Sequence, residues 1–150
     1  MDDDLSPRIR AVIDLNVAEA REYAGRHEYD GVIQDLSPDG VRAGLARLAA
    51  AAAGASLDDA HDESHLAAFE AANRVRYGEL ELHRRNPLVQ LGALDLSGYD
   101  RDYAPQPERD RARLAQLTAW PDACDAAVTA LDLVSAPVAA ALLDGVRGLA

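Results

Sequence analysis

Apolar residues recur at three- and four-residue spacing along most of this chain, as they do on one face of an α-helix. Serine–proline pairs are typical helix starts, because the serine caps the first turn and the proline takes a position whose N–H would have no partner. The pattern predicts a first helix from Ser6-Pro7 to Gly25, a second from Ser37-Pro38 to Gly54, and a third from Ser56 or Asp58 to Asn86-Pro87.

The third predicted helix is the longest, at about 27 residues or roughly 40 Å. Its apolar seam contains Leu66, Phe69, Asn73, Tyr77 and Leu80. A buried amide must find hydrogen-bond partners. We therefore expect Asn73 to anchor either the segment from His27 to Gly31 or the turn at Asn86.

Three further helices are predicted after residue 106. The fourth begins at Pro107 and reaches Trp120, and Pro121 is expected to break or restart it. The fifth ends near Leu133, and the last begins at Ser135-Ala136-Pro137. Because no stretch alternates polar and apolar residues over the length of a strand, we predict an all-α fold. It would be a bundle-like antiparallel array of about five to six helices in a single domain, residues 1–150.

The long connection between the third and fourth helices, residues 86–106, is too apolar for a solvated linker. It predicts a short helix around Leu88 to Leu94 followed by an ordered loop. Since loops on rigid helices often carry binding groups, the alternative interpretation is that this loop lines a cleft. The turn-favouring Asp30-Gly31 pair suggests a second loop of this kind, in which a hydrogen-bonded structural role for His27 competes with a ligand-binding role. The cleft-lining candidates are His27, Tyr29, Tyr99, Asp102 and Tyr103.

The charge and composition of the chain argue against several classes of partner and location. The formal net charge is -11, and all 15 basic residues are arginine. An acidic surface repels phosphate backbones, so we expect no nucleic-acid partner. The start Met1-Asp2-Asp3-Asp4 is unlike a signal peptide, and no apolar run approaches the length needed to cross a bilayer. We therefore expect a cytoplasmic protein without a membrane partner, in which the single Cys124 packs in the core.

One segment, His61-Asp62-Glu63-Ser64-His65, resembles the zinc-binding pattern H-E-x-x-H. Asp62 stands where the general-base glutamate is required, and the spacing identifies no third ligand. The acids of this segment instead suit the first turn of a helix, where the dipole favours negative charge. We expect no metal site, no catalytic residue and no cofactor in this chain.

The residues from Arg85 to Pro105, with His27–Gly31 and Asp35–Gly40 upstream, carry a family resemblance. Together they resemble the amino-terminal region of the domain-of-unknown-function family 885, whose members are large, mostly helical bacterial proteins similar to zinc metallopeptidases. The resemblance runs from about Val17 to Ala150, and the family's H-E-x-x-H motif belongs to a later part of its members. It implies amino-terminal helices that cover one side of a peptidase-like cleft, and zinc only in a full-length member.

The expected function is therefore that of a non-catalytic amino-terminal helical region of a metallopeptidase-like protein, truncated before the metal motif and not itself an enzyme. Its partner would be the missing carboxyl-terminal part. The alternative is an autonomous helical interaction module or a homodimer. Both predict exposed apolar surface, which we expect on Leu88–Leu96 and on the last helix at Val138, Leu142, Leu143 and Val146.

Overall fold

The structure is a computed structural model that describes residues 5–148, apart from the side chain of Val146. Within this range the chain is helical and contains no strand, which confirms the all-α class. The α-helices are α1 (Pro7–Asp14), α2 (Val17–Tyr23), α3 (Pro38–Ala52), α4 (Ala60–Asn73), α5 (Leu82–Arg85), α6 (Pro87–Ala93), α7 (Gln106–Ala130) and α8 (Ala136–Arg147). Short 3-10 turns lie at His27–Tyr29 and Ser97–Asp100, and a π-helical turn, Arg74–Glu79, continues α4.

The predicted count of five to six helices is wrong, because two of the predicted helices are divided in the structure. The first breaks at Asn16, whose side-chain amide donates to the Val12 carbonyl at 2.7 Å and to Asn73 Oδ1 at 2.9 Å. The third ends after the π-helical turn, where Glu81 adopts a left-handed conformation with φ 46°. Each break starts a new short helix, α2 and α5.

Pro121 does not break the fourth helix, contrary to the sequence expectation. It lies inside α7, which runs without interruption to Ala130. A proline in a helix leaves the carbonyl four residues earlier without its N–H partner. Here Pro121 lies on the exposed side of α7, so water can reach the carbonyl of Leu117 and the helix tolerates the loss.

The core forms where α1 packs against α3 and α4. Leu48 of α3 is fully buried, and Leu15 lies against Gly44, where an added Cβ would stand 2.5 Å from Leu15 Cδ2. The glycine therefore allows the close approach of the two helices. Buried Arg8 joins α1 to α4, since its guanidinium bonds to Glu70 and Glu63 at 2.9 Å.

The carboxyl-terminal helices are less covered. One face of α7 carries buried Arg109, Gln116 and Ala130. Cys124 lies on the same helix but is exposed, so the predicted core position of Cys124 is wrong. Helix α8 packs against α6, yet Leu88, Val138 and Leu143 stay partly exposed, as the sequence predicted. The same prediction is wrong for Leu94, which is buried at 8% exposure. Val146, part of the same prediction, has a side chain outside the described structure. None of the described helices is long and apolar enough to cross a membrane.

Candidate functional site

Three of the five predicted cleft residues, His27, Tyr99 and Tyr103, lie around one cavity of about 300 Å³. The cavity lies between the carboxyl end of α2 and the turn Ser97–Asp100. The His27 ring stacks on the Tyr103 ring with centroids 4.0 Å apart and planes 3° apart. Burial, reinforced by the 2.7 Å hydrogen bond that the Tyr103 hydroxyl donates to Asp30 Oδ2, raises the pKa of Tyr103. These contacts join the two predicted loops into one wall.

Tyr99 fastens this wall to α7. Its side chain is 2% exposed, and its hydroxyl donates to Gln116 Oε1 at 2.7 Å and accepts from the Gly31 N–H at 2.8 Å. Gly31 has φ 80° and a Cβ there would stand 3.1 Å from Ala115 Cβ, so both the backbone conformation and the space favour glycine. Burial of the Tyr99 hydroxyl raises its pKa, so it stays protonated and can donate.

The other two candidates, Tyr29 and Asp102, do not line this cavity. Tyr29 is buried, and its hydroxyl donates to Asp14 Oδ1 at 2.7 Å and accepts from Arg10 at 3.1 Å, which ties its segment to α1. Asp102 is exposed and accepts a hydrogen bond of 3.1 Å from buried Arg109. Both side chains have structural partners away from the cavity.

Sequence reasoning missed two arginines of the cavity, Arg21 and Arg101. Arg21 is 7% exposed, and its guanidinium lies over the Tyr99 ring, 5.2 Å from the centroid. Arg101 is more exposed and bonds to the Glu22 carboxylate at 2.6 Å. The helix break at Asn16 resets which residues of α2 face inward, so the periodicity of one continuous helix could not reveal Arg21.

A larger, mostly apolar groove of about 790 Å³ lies between α4 and the pair α1 and α2. Its α4 wall consists of α4 together with the π-helical turn that continues it, and it runs from Asp62 to Arg76, a length of about 20 Å. Phe69 projects beside it and is 58% exposed, and Tyr23 is 76% exposed on the opposite wall. The sequence had placed Phe69 in the buried seam of the third helix, and that placement is wrong. We call the groove between α4 and the pair α1 and α2 the apolar groove.

Polar residues close one end of the apolar groove. Asn73 accepts from Asn16 at 2.9 Å, and its own amide donates to the Phe69 carbonyl at 2.9 Å. Arg76 bonds to Glu19 at 3.0 Å across the same end. Asn73 therefore anchors the junction of α1 and α2, and the expectation that it anchors the His27–Gly31 segment or the Asn86 turn is wrong.

The His61–His65 segment forms the start of α4. The two imidazole rings contact each other edge to face, with centroids 4.4 Å apart. Asp59 caps the helix by accepting from the His61 and Asp62 N–H groups at 2.8 and 3.0 Å, and Glu63 binds Arg8. Across residues 5–148 the structure brings together no group of three histidine, cysteine, aspartate or glutamate side chains that could hold a metal ion.

Comparisons of the chain with protein-family models, with curated proteins and with solved structures find no match. The resemblance to family 885 thus depends on the sequence motifs alone.

Proposed function

We propose that this chain is the non-catalytic amino-terminal helical region of a metallopeptidase-like protein, and that it docks a helix from the rest of that protein in the apolar groove. The family resemblance supports the identity of the longer protein. The observation that carries the docking role is the apolar groove, where Phe69 and Tyr23 expose large aromatic surface on facing walls.

The dimensions of the apolar groove favour a helix as its occupant. Its walls are themselves helical, and the α4 wall extends about 20 Å, which matches about four turns of α-helix. Apolar grooves between helices commonly bind the apolar face of an amphipathic helix through residues spaced three and four apart. Phe69, near the middle of the α4 wall, would be the central contact.

The charges at the rim specify the partner further. At the polar end of the groove, Glu19 and Arg76 already neutralise each other. At the other end, Asp62 is exposed at the start of α4. The chain is also strongly acidic overall, so a docking helix is favoured if an arginine or lysine flanks its apolar face beside Asp62.

The experiment has a genetic and a biochemical step. The genomic DNA beyond the Ala150 codon is read, and we expect a continuation or a neighbouring frame that encodes H-E-x-x-H. That product is then expressed as a separate polypeptide together with this chain, and we expect the two to copurify. Genomic DNA without such a frame, or two polypeptides that do not associate, would contradict the proposal.

Matched variants locate the docking surface. Phe69→Asp should weaken the association by about tenfold or more, as expected for a central aromatic contact. Leu114→Asp is the control, because Leu114 is a similarly exposed apolar residue, 64% exposed, on α7 away from the groove. Equal weakening by both variants would contradict docking in the apolar groove.

The second candidate function, an autonomous homodimer, has support from α7. Its outer face exposes Leu114, Leu117 and Val128, at 64%, 39% and 77%, along one side of the helix through Pro121. Two α7 helices paired antiparallel about Pro121 would place Leu114 of one copy beside Val128 of the other, as a twofold interface requires. Light scattering should then report a dimer that Leu114→Asp converts to a monomer and Phe69→Asp does not. A monomer in the unmodified chain would exclude this candidate.

A further inference from the structure

We propose that the cavity between α2 and the turn Ser97–Asp100 binds a small aromatic acid, and that Arg21 anchors its carboxylate or phosphoryl oxyanion. Tyr23 lies at both this cavity and the apolar groove, but no other residue that lines the cavity also lines the groove, and the proposal does not depend on the proposed function. The structure offers three supporting observations: a buried cation with no anionic partner, aromatic groups around the same cavity, and a volume suited to a small molecule.

The first observation is the environment of Arg21. Its guanidinium donates to the backbone carbonyls of Val32 and Asp95, both at 3.2 Å. Among the described residues, no carboxylate lies within ion-pair distance of it. Buried charges are normally paired, because an unpaired one is costly to remove from water. A neutral carbonyl solvates the guanidinium without cancelling its charge, so a residue that lines the cavity keeps a positive charge without a carboxylate partner.

The carboxylate of Asp95 interacts electrostatically with Arg21. Burial opposes its ionisation, yet hydrogen bonds from Ser97 and Leu96 and the charge of Arg21 hold its pKa below the ordinary value. Its oxygens accept from the Ser97 N–H at 3.0 Å and from the Ser97 hydroxyl at 2.7 Å. Asp95 does not line the cavity. Its carboxylate therefore does not occupy the place of an anion in the cavity.

The second observation is the remaining lining. Arg101 and Glu22, which both line the cavity, form an ion pair at 2.6 Å and neutralise each other. The His27 imidazole contacts the Asp30 carboxylate at 3.5 Å. Among the described residues, Arg21 is therefore the cation of the cavity that has no carboxylate partner. Tyr23 and Tyr103 supply aromatic surface for an apolar body. Arginine binds carboxylates and phosphoryl groups through paired N–H groups, which gives strength and direction to the contact.

The third observation is size. At about 300 Å³ the cavity is at the lower end of the range for small-molecule sites. It therefore suits a single ring with one acidic group. The net charge of -11 opposes any anion from a distance, but at about 0.1 M salt the screening length is about 10 Å, so the groups at the cavity decide binding.

The experiment titrates the protein with benzoate, phenyl phosphate and the neutral control benzyl alcohol, and follows the backbone amides of Gly25 and Gly98 by NMR. We expect saturable shifts with at least one acid and none with benzyl alcohol. If only benzoate saturates the shifts, the cavity binds a carboxylate, and if only phenyl phosphate does, it binds a phosphoryl group. If both acids do, the cavity binds an oxyanion of either kind. No saturable shift with either acid, or equal shifts with benzyl alcohol, would overturn the proposal.

Two variants test the anchor and the cavity. Arg21→Gln should weaken binding by about tenfold or more, the effect of losing a charge-assisted hydrogen bond. Gly98→Leu adds bulk to a residue that lines the cavity and should weaken binding, and the fold should be kept because an added Cβ meets no atom within 4 Å. Gly145→Leu in α8 is the matched control, with equally open surroundings. If Arg21→Gln fails to fold, Gly98→Leu decides the outcome, and unchanged affinity in either folded variant would refute the assignment.

Discussion

Replacing Tyr99 by phenylalanine is the sharpest test of how the two loop segments are held on α7. The substitution keeps the ring, which is 2% exposed, and removes only the hydroxyl. That hydroxyl makes two hydrogen bonds, donating to Gln116 at 2.7 Å and accepting from the Gly31 N–H at 2.8 Å. Since the residue shape is otherwise conserved, a change in stability reports these two bonds.

The expected loss follows from what is left unpaired. Gln116 has no solvent exposure, so its Oε1 loses a donor that water cannot replace, at a cost of about 1–3 kcal/mol. The Gly31 N–H is only partly buried, and its lost bond costs about 1 kcal/mol. The free energy of unfolding should therefore fall by about 2–4 kcal/mol, and Tm by roughly 4–16 °C for a domain of this size.

Urea unfolding followed by far-ultraviolet circular dichroism measures the loss, as a lower midpoint at an unchanged slope. Tyr23→Phe is the matched control, because Tyr23 is 76% exposed and should change stability by less than about 0.5 kcal/mol. In the double variant with Gln116→Met, the losses should not add, since both changes disrupt the same bond. A loss below about 1 kcal/mol in Tyr99→Phe would refute the reasoning.

Further predictions concern the pH dependence, the helix ends and metal binding. Burial lowers the pKa of His83 below 6.5, so the folded protein favours the neutral imidazole. Its contribution to the free energy of unfolding is fully present above pH 6.5 and is lost as the pH falls from 6.5 through the lowered pKa. His83→Gln should therefore flatten the dependence of the urea midpoint on pH over this window, and an unchanged pH profile would contradict the prediction. Asn86 caps α6 by accepting from the Leu88 N–H at 3.0 Å, so Asn86→Ala should lower stability by about 1 kcal/mol in thermal unfolding, whereas an unaltered Tm would exclude a capping role. Pro121→Ala should raise stability by about 1–3 kcal/mol in urea, because it restores a helical hydrogen bond; a destabilised variant would mean that the proline is required. Elemental analysis should find no stoichiometric zinc, and changing both His61 and His65 to alanine should leave helicity and Tm unchanged, while tight zinc binding lost in that variant would overturn this view.

Several helix starts could be predicted from the sequence because their causes are local. α1, α3 and α6 begin at Pro7, Pro38 and Pro87, each after a side chain that accepts from a first-turn N–H. The cap and the proline lie next to each other in the chain, so no distant contact is needed. The apolar connection at residues 86–106 also contains a short helix followed by an ordered turn, as predicted.

Helix continuity depended on distant residues. The break at Asn16 is stabilised by Asn73, 57 positions away, and a local pattern cannot contain that contact. Pro121 has the opposite outcome for a related reason. Its sequence signal for a helix break is strong, but its exposed position on α7 allows water to satisfy the carbonyl that it leaves without a partner.

The direction in which each helix face points was decided only by the tertiary structure. The sequence shows that apolar stripes exist, but in alanine-rich helices several faces are nearly equivalent, so the periodicity does not say which face another helix will cover. Phe69 and Cys124 were predicted to be buried and are exposed, while Arg21 is buried beneath a cavity that no periodicity indicated. Local capping chemistry is encoded within a few residues, whereas burial depends on the free energy of packing surfaces far apart in the chain.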